Sequence, residues 1–359
     1  MQNSIESGDL RRISANALID FSTRAFRACG ASDEAAALTA RHLIGADLRG
    51  VDTHGVVRLP LYVSRLQRGL MDAKAQPEIV RQSATTAVMD AHNALGQWVA
   101  NRAMTLAIEK ARDHDIGVVT VRHSNHYGAA AEYSLLAAEQ GMIGITTTNT
   151  APLMAPKGGA ERRLGNNPLS IAVPSNLEAP LTLDIAFSVV AAWNLMLAHQ
   201  RGQKIPEGWA LDSEGQATDD PYRGLVGGGM LCPISDHKGY GLAMMMDVLT
   251  GVLSGGHFAN QTRALKSDEP LEVCHFMLAL NVGAFLSLDE FHERVAVLVE
   301  TMKSSPKATG VEEIMVPGEP EHRKYLARQR DGISVEESLI VELSEMADSL
   351  GIAPLEVKG

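Results

Sequence analysis

From residue 13 to 29 (ISANALIDFSTRAFRAC) apolar side chains recur at three- and four-residue intervals, the period of one face of an α-helix. Gly30 stops the pattern. Ser32 then supplies an N-cap, and Asp33 and Glu34 sit favourably against the dipole of a second helix running to about Leu48. Thr53 can cap a third helix carrying His54, Arg58 and Tyr62, with Pro60 early enough to bend it without ending it. The middle of the chain changes period. Residues 85–93, 116–124, 142–150, 169–175 and 181–187 are short β-branched runs bounded by turn residues, and 275–285 reads as a late strand returning to them. Helical patterns separate only some of these runs, at 97–114 and 127–140, so a mixed or largely antiparallel sheet is expected. The stretch 151–168 is a long loop rich in Gly, Pro and Asn, of the kind that often carries function. A heavily apolar helix from about Gly239 to Leu253 should be buried. The tail holds helices at 288–304 and 334–349, the second opened by a Ser334–Glu337 capping box.

Composition narrows the classes. A chain of 359 residues has room for two packed lobes, and 45% hydrophobic with 21% charged residues is enough for a sizeable core. A formal charge of −11 argues against a nucleic-acid partner, because no basic stripe offsets it. It leaves an anionic substrate open, since a few Arg or Lys side chains dominate a pocket. Cys29, Cys232 and Cys274 lie far apart with no CxxC pair, which fits a reducing compartment and offers no thiolate metal site. With a polar N-terminus and no long apolar run, the expectation is a cytoplasmic protein with no membrane association.

The candidate chemistry starts from a missing motif: no GxGxxG follows a strand and opens a helix, and Gly227–Gly229 lacks the spacing. In DLRGVDTHGVVRLPLYVSRLQRG (47–69), His54, Arg58 and Tyr62 recur every four residues. An imidazole titrating near neutrality suits general acid–base work, and a guanidinium fork suits a carboxylate. Read alone, the same spacing describes any solvated helix face. His123 and His126 end a strand before a small-residue helix, a place suited to anions; with no Asp, Glu or Cys at ligand spacing they make a weak metal site, and no metal is expected. Lys238 and Gly239 enter a buried helix at a position suited to phosphate oxygens, and the nearby methionines read as core filler.

Taken together, RGVDTHGVVRLPLY, SNHYGAAAEY, GNNPLSIAVPS, LDIAFSVV, IPEGWALDSEGQATDDP, DHKGYGLA and VPGEPEH resemble, in order, the malate/L-lactate dehydrogenase type 2 family, which includes ureidoglycolate, sulfolactate, diketogulonate and piperideine-carboxylate reductases. The resemblance runs from about residue 10 to 330. It implies an α/β fold with a non-Rossmann NAD(P)-binding sheet, mixed and largely antiparallel, flanked by helices. Residues 1–75 with 305–359 would form a helical catalytic and dimerisation lobe, and 76–304 the cofactor-binding sheet domain. It implies NAD or NADP as cofactor, a small carboxylate substrate and a homodimer. By the same resemblance His54 is the proton donor, Thr53 its partner, and His126 lies near substrate and nicotinamide. Arg58 binds the substrate carboxylate, and Tyr62, Asn166, Trp193 and Asn194 fall at substrate positions. Cofactor contacts carry over to His126, Tyr127, Gly128, Ala129, Ala130, Asp184, Ile185, Ala186, His237, Lys238, Pro317, Gly318 and Glu319. The chain departs from the family pattern where Trp193 replaces a glycine, Asn194 replaces a charged residue and Phe187 replaces a threonine. The reading is a 2-oxo acid reductase or 2-hydroxy acid dehydrogenase. A cyclic imine reductase of the same fold and a non-catalytic nucleotide-binding paralogue are the alternatives, with a metal-dependent hydrolase on His123 and His126 as a remote third.

Overall fold

Two capped helices and a strand open the described chain, residues 10–357 of a computed structural model. Strand β1 (Leu10–Ile13) leads into α1 (Ala15–Ala28), entered through Ser14, whose Oγ accepts the Ala17 N–H. Gly30 leaves it at φ +95°, a conformation costly to a residue with a Cβ. Ser32 caps α2 (Asp33–Leu48) as expected, accepting the Ala35 N–H. The helix expected from Thr53 does not form. Residues Asp52–His54 and Val56–Arg58 are separate 3₁₀ turns with extended Gly55 between them, and α3 (Leu59–Gln67) begins with Pro60 in its first turn. Proline is tolerated there because it has no N–H to contribute.

The main sheet contains β2 (Glu78–Gln82), β3 (Thr86–Asp90), β4 (Ile116–Ser124), β5 (Met142–Thr148), β6 (Leu169–Ala172) and β7 (Thr182–Ile185), with α4 (Gly96–His114) before β4 and α5 (Ala131–Ala138) before β5. Beyond β7 come α6 (Ala192–Gln200), the short strands β8 (Ala210–Leu211), β9 (Ala217–Thr218) and β10 (Met230–Leu231), then α7 (His237–Asp247) and β11 (Val273–Asn281). β11 inserts centrally, giving the order β2-β3-β4-β11-β5-β6-β7. Only β3 and β4 run parallel, joined by the α4 crossover that a parallel pair requires. The expected mixed, mostly antiparallel α/β sheet is what forms. β2 carries no alternation because all five of its residues are exposed at the sheet edge.

The tail differs from expectation. It contains α8 (Leu288–Lys303), α9 (Glu319–Asp331), β12 (Ile333–Glu336) and α10 (Glu337–Leu350). α9 escapes periodicity because its sequence, EPEHRKYLARQRD, is nearly all polar. The Ser334–Glu337 capping box is absent: Ser334 lies in β12, paired with Arg12 of β1, and α10 starts only at Glu337. One core joins α1–α4, the sheet and α10, including Phe21, Leu43, Tyr62, Met104, Tyr127 and Leu343. A smaller core around Met154, Phe187, Leu195 and Leu231 packs the three-stranded sheet β10-β8-β9. The helix expected to be buried at 239–253 ends as α7 plus a π turn at Val248–Val252, and Leu242, Met244, Met245, Val248, Val252 and Leu253 face outward. No helix among the described residues is long and apolar enough to cross a membrane.

Candidate active site

The turn between α2 and α3 is shaped by a buried carboxyl. Asp47 Oδ2 accepts the Val56 N–H at 2.7 Å, the bond that a continuous helix would have given to the carbonyl of Asp52. The Asp47 carboxyl lies so close to Gly55 that a Cβ there would fall 1.8 Å from Oδ1. The result is a kinked segment in which Thr53 Oγ1 and His54 Nδ1 are 2.8 Å apart and Arg58 Nε donates to the Thr53 carbonyl at 2.6 Å. From α9, Arg328 donates to the Asp47 carbonyl and pairs with the Asp52 carboxylate.

A second loop meets this turn. Asn125, fully buried after β4, donates through Nδ2 to Asn93 and Ala94 and so fixes the start of the loop. His126 follows, its ring stacked on that of His54 with centroids 5.4 Å apart. Tyr62 Oη lies 2.6 Å from His126 Nδ1, which also accepts the Gly128 N–H at 3.3 Å. A nitrogen accepting that amide carries no proton, so Tyr62 donates and the His126 proton resides on Nε2. The expected helix from residue 127 therefore begins only at Ala131, after the loop has turned His126 toward Tyr62.

Burial, then the neighbouring Arg58, lowers the His54 pKa to about 4. His126 is pushed well down by burial and by the adjacent His54 and Arg58. Burial lifts Tyr62 to about 12 and Asp47 to about 8, so at neutral pH both histidines are uncharged and both acids are protonated. Asp52 in this turn is paired with Arg328, which leaves Arg58 as its charged side chain without an ion-pair partner among the described residues. Its Nη atoms make no hydrogen bond or ion pair among the described residues. Arg58 lines a cavity of about 410 Å³ together with Thr53, Leu61, Trp193, Lys266 and Glu342, among others.

Other sequence-derived positions form a second group. The Asp184 carboxylate accepts the Ala131 N–H at 2.9 Å, at the start of α5 and just beyond Ala129 and Ala130. Its pKa rises to about 6, chiefly because the surrounding protein displaces water. Pro317 accepts the Thr182 N–H, holding the Pro317–Glu319 segment against β7, and a Cβ on Gly318 would come 2.6 Å from the Pro180 carbonyl. Ile185 and Ala186 continue from β7, and Tyr127 is buried between Tyr133 and His275. The Glu319 side chain is committed to Lys303, Arg323 and the Val316 N–H.

The remaining positions are separate. Asn166 is held by Thr150 and Ser188. Phe187 fills the smaller core, while Asn194, in the first turn of α6, is exposed. His237 and Lys238 are exposed at the start of α7, with no bond joining them to His54. His123 pairs with Asp90 at 2.9 Å, away from the job that Tyr62 gives to His126, and among the described residues no three His, Cys, Asp or Glu side chains converge as a metal site. Sequence reasoning missed Asp47, Asn125, Arg328 and Lys266. Asp47 sits in the DLRGVDTHG stretch already singled out, whereas Arg328 and Lys266 come from segments with no local signal.

A loop-borne imidazole with a hydroxyl partner, beside a guanidinium, is an arrangement that can exchange a proton with a bound carboxylate, the chemistry of a hydroxy-acid oxidoreductase. Residues 13–344 match the malate/L-lactate dehydrogenase family, and the chain belongs to it. It is 40% identical to a malate dehydrogenase of Pyrococcus abyssi, with 96% of this chain and 97% of that one covered. It is 39% identical to an L-sulfolactate dehydrogenase of Methanocaldococcus jannaschii, over 90% and 92% of the two chains. The malate dehydrogenase structure from Pyrococcus horikoshii superposes with a TM-score of 0.89 at 37% identity, covering 98% of this chain and 99% of that one.

Proposed function

We propose that this protein is an NAD(P)-dependent oxidoreductase that transfers a hydride between nicotinamide and a small 2-oxo or 2-hydroxy acid, with His54 giving and taking the proton. The observation that carries the reading is the Thr53–His54 pair held beside Arg58, whose Nε is anchored and which lines the cavity. The names of the similar dehydrogenases, acting on malate and on L-sulfolactate, support a 2-hydroxy acid as substrate.

The residues fit a dinucleotide outside a Rossmann arrangement. The Asp184 carboxylate suits ribose hydroxyls, and the Pro317–Gly318 backbone is packed beside β7. Nicotinamide, when bound, supplies the hydride in reduction and takes it back in oxidation. The Arg58 fork holds the substrate carboxylate and so fixes the adjoining carbonyl or hydroxyl. Thr53 engages Nδ1 of His54, leaving Nε2 to exchange a proton with the substrate oxygen. At neutral pH His54 is uncharged, the form that accepts a proton from an alcohol. A carboxylate on Arg58 cancels one of the two influences that depress the imidazole, so substrate binding raises its basicity at the moment it is needed. The outward apolar side chains of α7 and its π turn support a homodimer.

The test is oxidation of NADH and NADPH with a panel of 2-oxo acids and cyclic imino acids, run beside His54→Ala. Turnover falling by roughly 10²–10⁴-fold in the variant, with cofactor binding kept, is the expected result. Preference for the imino acids would move the assignment to a C=N reductase. Cofactor binding without turnover on any substrate would leave a nucleotide-binding protein.

A further inference from the structure

The turn that carries His54 is held from beneath by a group that touches neither cavity nor cleft. Asp47 is buried at the end of α2, 3% exposed. Its Oδ2 takes the Val56 N–H, and its carboxyl occupies the space that a side chain at position 55 would fill. Gly55 is extended, with φ −90° and ψ −150°, which any residue can adopt. The glycine is therefore required by the approach of Asp47 and not by its own backbone. On the outer side, Arg328 of α9 grips the Asp47 carbonyl and the Asp52 carboxylate, one residue before Thr53.

We propose that Asp47 is a positioning residue for the proton donor: its carboxyl sets the path of residues 54–56, and thereby the placement of the His54 imidazole. This rests on the role of His54 given above. The chemistry asks for a hydrogen-bond acceptor of this shape and not for a charge. An amide in its place accepts the same N–H through Oδ1, whereas truncation leaves the Val56 N–H without a partner in a dry site. A sub-ångström error in an acid–base group costs turnover far more than it costs binding of a remote cofactor.

The charged groups around Asp47 are Asp52 on the following turn and Arg328 on α9, and neither touches Oδ2. Charge changes at Asp47 and geometry changes are thus separable by substitution. Asp47→Asn keeps the acceptor and removes the titration. Asp47→Ala removes both. Gly55→Ala keeps the carboxyl and drives a methyl into it.

The experiment measures kcat, KM and NADH affinity for the three variants and for the Gly55→Ala/Asp47→Ala double variant, with a His54 titration by NMR on each cofactor-free protein. Asp47→Ala and Gly55→Ala are expected to lose roughly 10–100-fold in kcat with NADH affinity within about threefold of wild type. Asp47→Asn should stay within about threefold in kcat. The double variant should lose no more than Asp47→Ala alone, because removing the carboxyl also removes what the alanine at 55 would strike. The His54 titration should move in the two damaging single variants and stay in Asp47→Asn. Unchanged kcat in Asp47→Ala would overturn the proposal, as would equal losses in Asp47→Asn and Asp47→Ala. If Asp47→Ala does not fold, Gly55→Ala and Asp47→Asn still decide it. Wild-type protein inactive on every substrate would overturn the assigned reaction, and the NMR titrations would still test the positioning.

Discussion

Arg58 serves two neighbours at once. Its Nε ties down the Thr53 carbonyl, and its positive charge, second to burial, depresses the His54 pKa. Removing the guanidinium therefore moves two observables in defined directions. Arg58→Ala is expected to raise KM for carboxylate substrates by roughly 10–100-fold, the worth of a charge-assisted hydrogen bond of about 1.5–3 kcal/mol. It should also raise the free-protein pKa of His54 from its value of about 4, because a repelling charge is gone while burial remains. In the oxidative direction His54 must be unprotonated, so the acid limb of kcat/KM shifts to higher pH in the variant. A limb that stays put, or moves down, would separate Arg58 from the proton donor. The residue types here were readable early: His, Arg and Tyr at intervals of four stood out as candidates. Their mutual geometry was not readable, because it depends on Asp47, distant by several residues, taking an N–H that a helix would have kept.

At the scale of elements, α3 and α6 both contribute to the lining of the cavity. α3 follows directly from Arg58, and the first turn of α6 carries Trp193 into the same cavity wall as Thr53, Arg58 and Leu61. An indole at that place occupies volume that a glycine would leave to substrate. Trp193→Gly is therefore expected to admit 2-oxo acids with larger side chains, lowering their KM relative to a two- or three-carbon acid. A substrate range identical to wild type would mean that the indole does not bound the substrate. α3 itself is tied to a distant segment, since buried Arg65 donates to the carbonyls of Leu265, Ser267 and Glu269. That tie sets Lys266 in the cavity wall. Nothing in the local pattern around either residue announces it, because the partners are backbone carbonyls, which every residue has.

Across the whole molecule, apolar surface is distributed unevenly. α7 and its π turn present Leu242, Met244, Met245, Val248, Val252 and Leu253 to the outside, and α8 adds Val297, Leu298 and Met302. Single exposed apolar residues are ordinary, but a run of them along one helix exceeds what a monomer usually leaves wet. With the homodimer proposed above, Met245→Glu is expected to halve the solution mass measured by light scattering while leaving the circular dichroism spectrum intact. A wild-type protein that is already monomeric at micromolar concentration would remove this surface from the assembly. The sequence misjudged this helix because an apolar run looks the same whether it is buried within its own chain or left at the surface.

The mixed, largely antiparallel sheet and the first two capped helices followed from the sequence alone. Period, capping and turn signals act over a few residues: Ser32 could be read as a cap because the group it satisfies is three residues away. Tertiary structure decided what lies beyond that range. It converted an expected helix at Thr53 into two short turns, made Ser334 a strand residue by pairing it with Arg12, and brought Arg328 back over Asp47. In each case a backbone group found its partner far along the chain, and local propensity, worth only tenths of a kcal/mol per residue, was too weak to resist it.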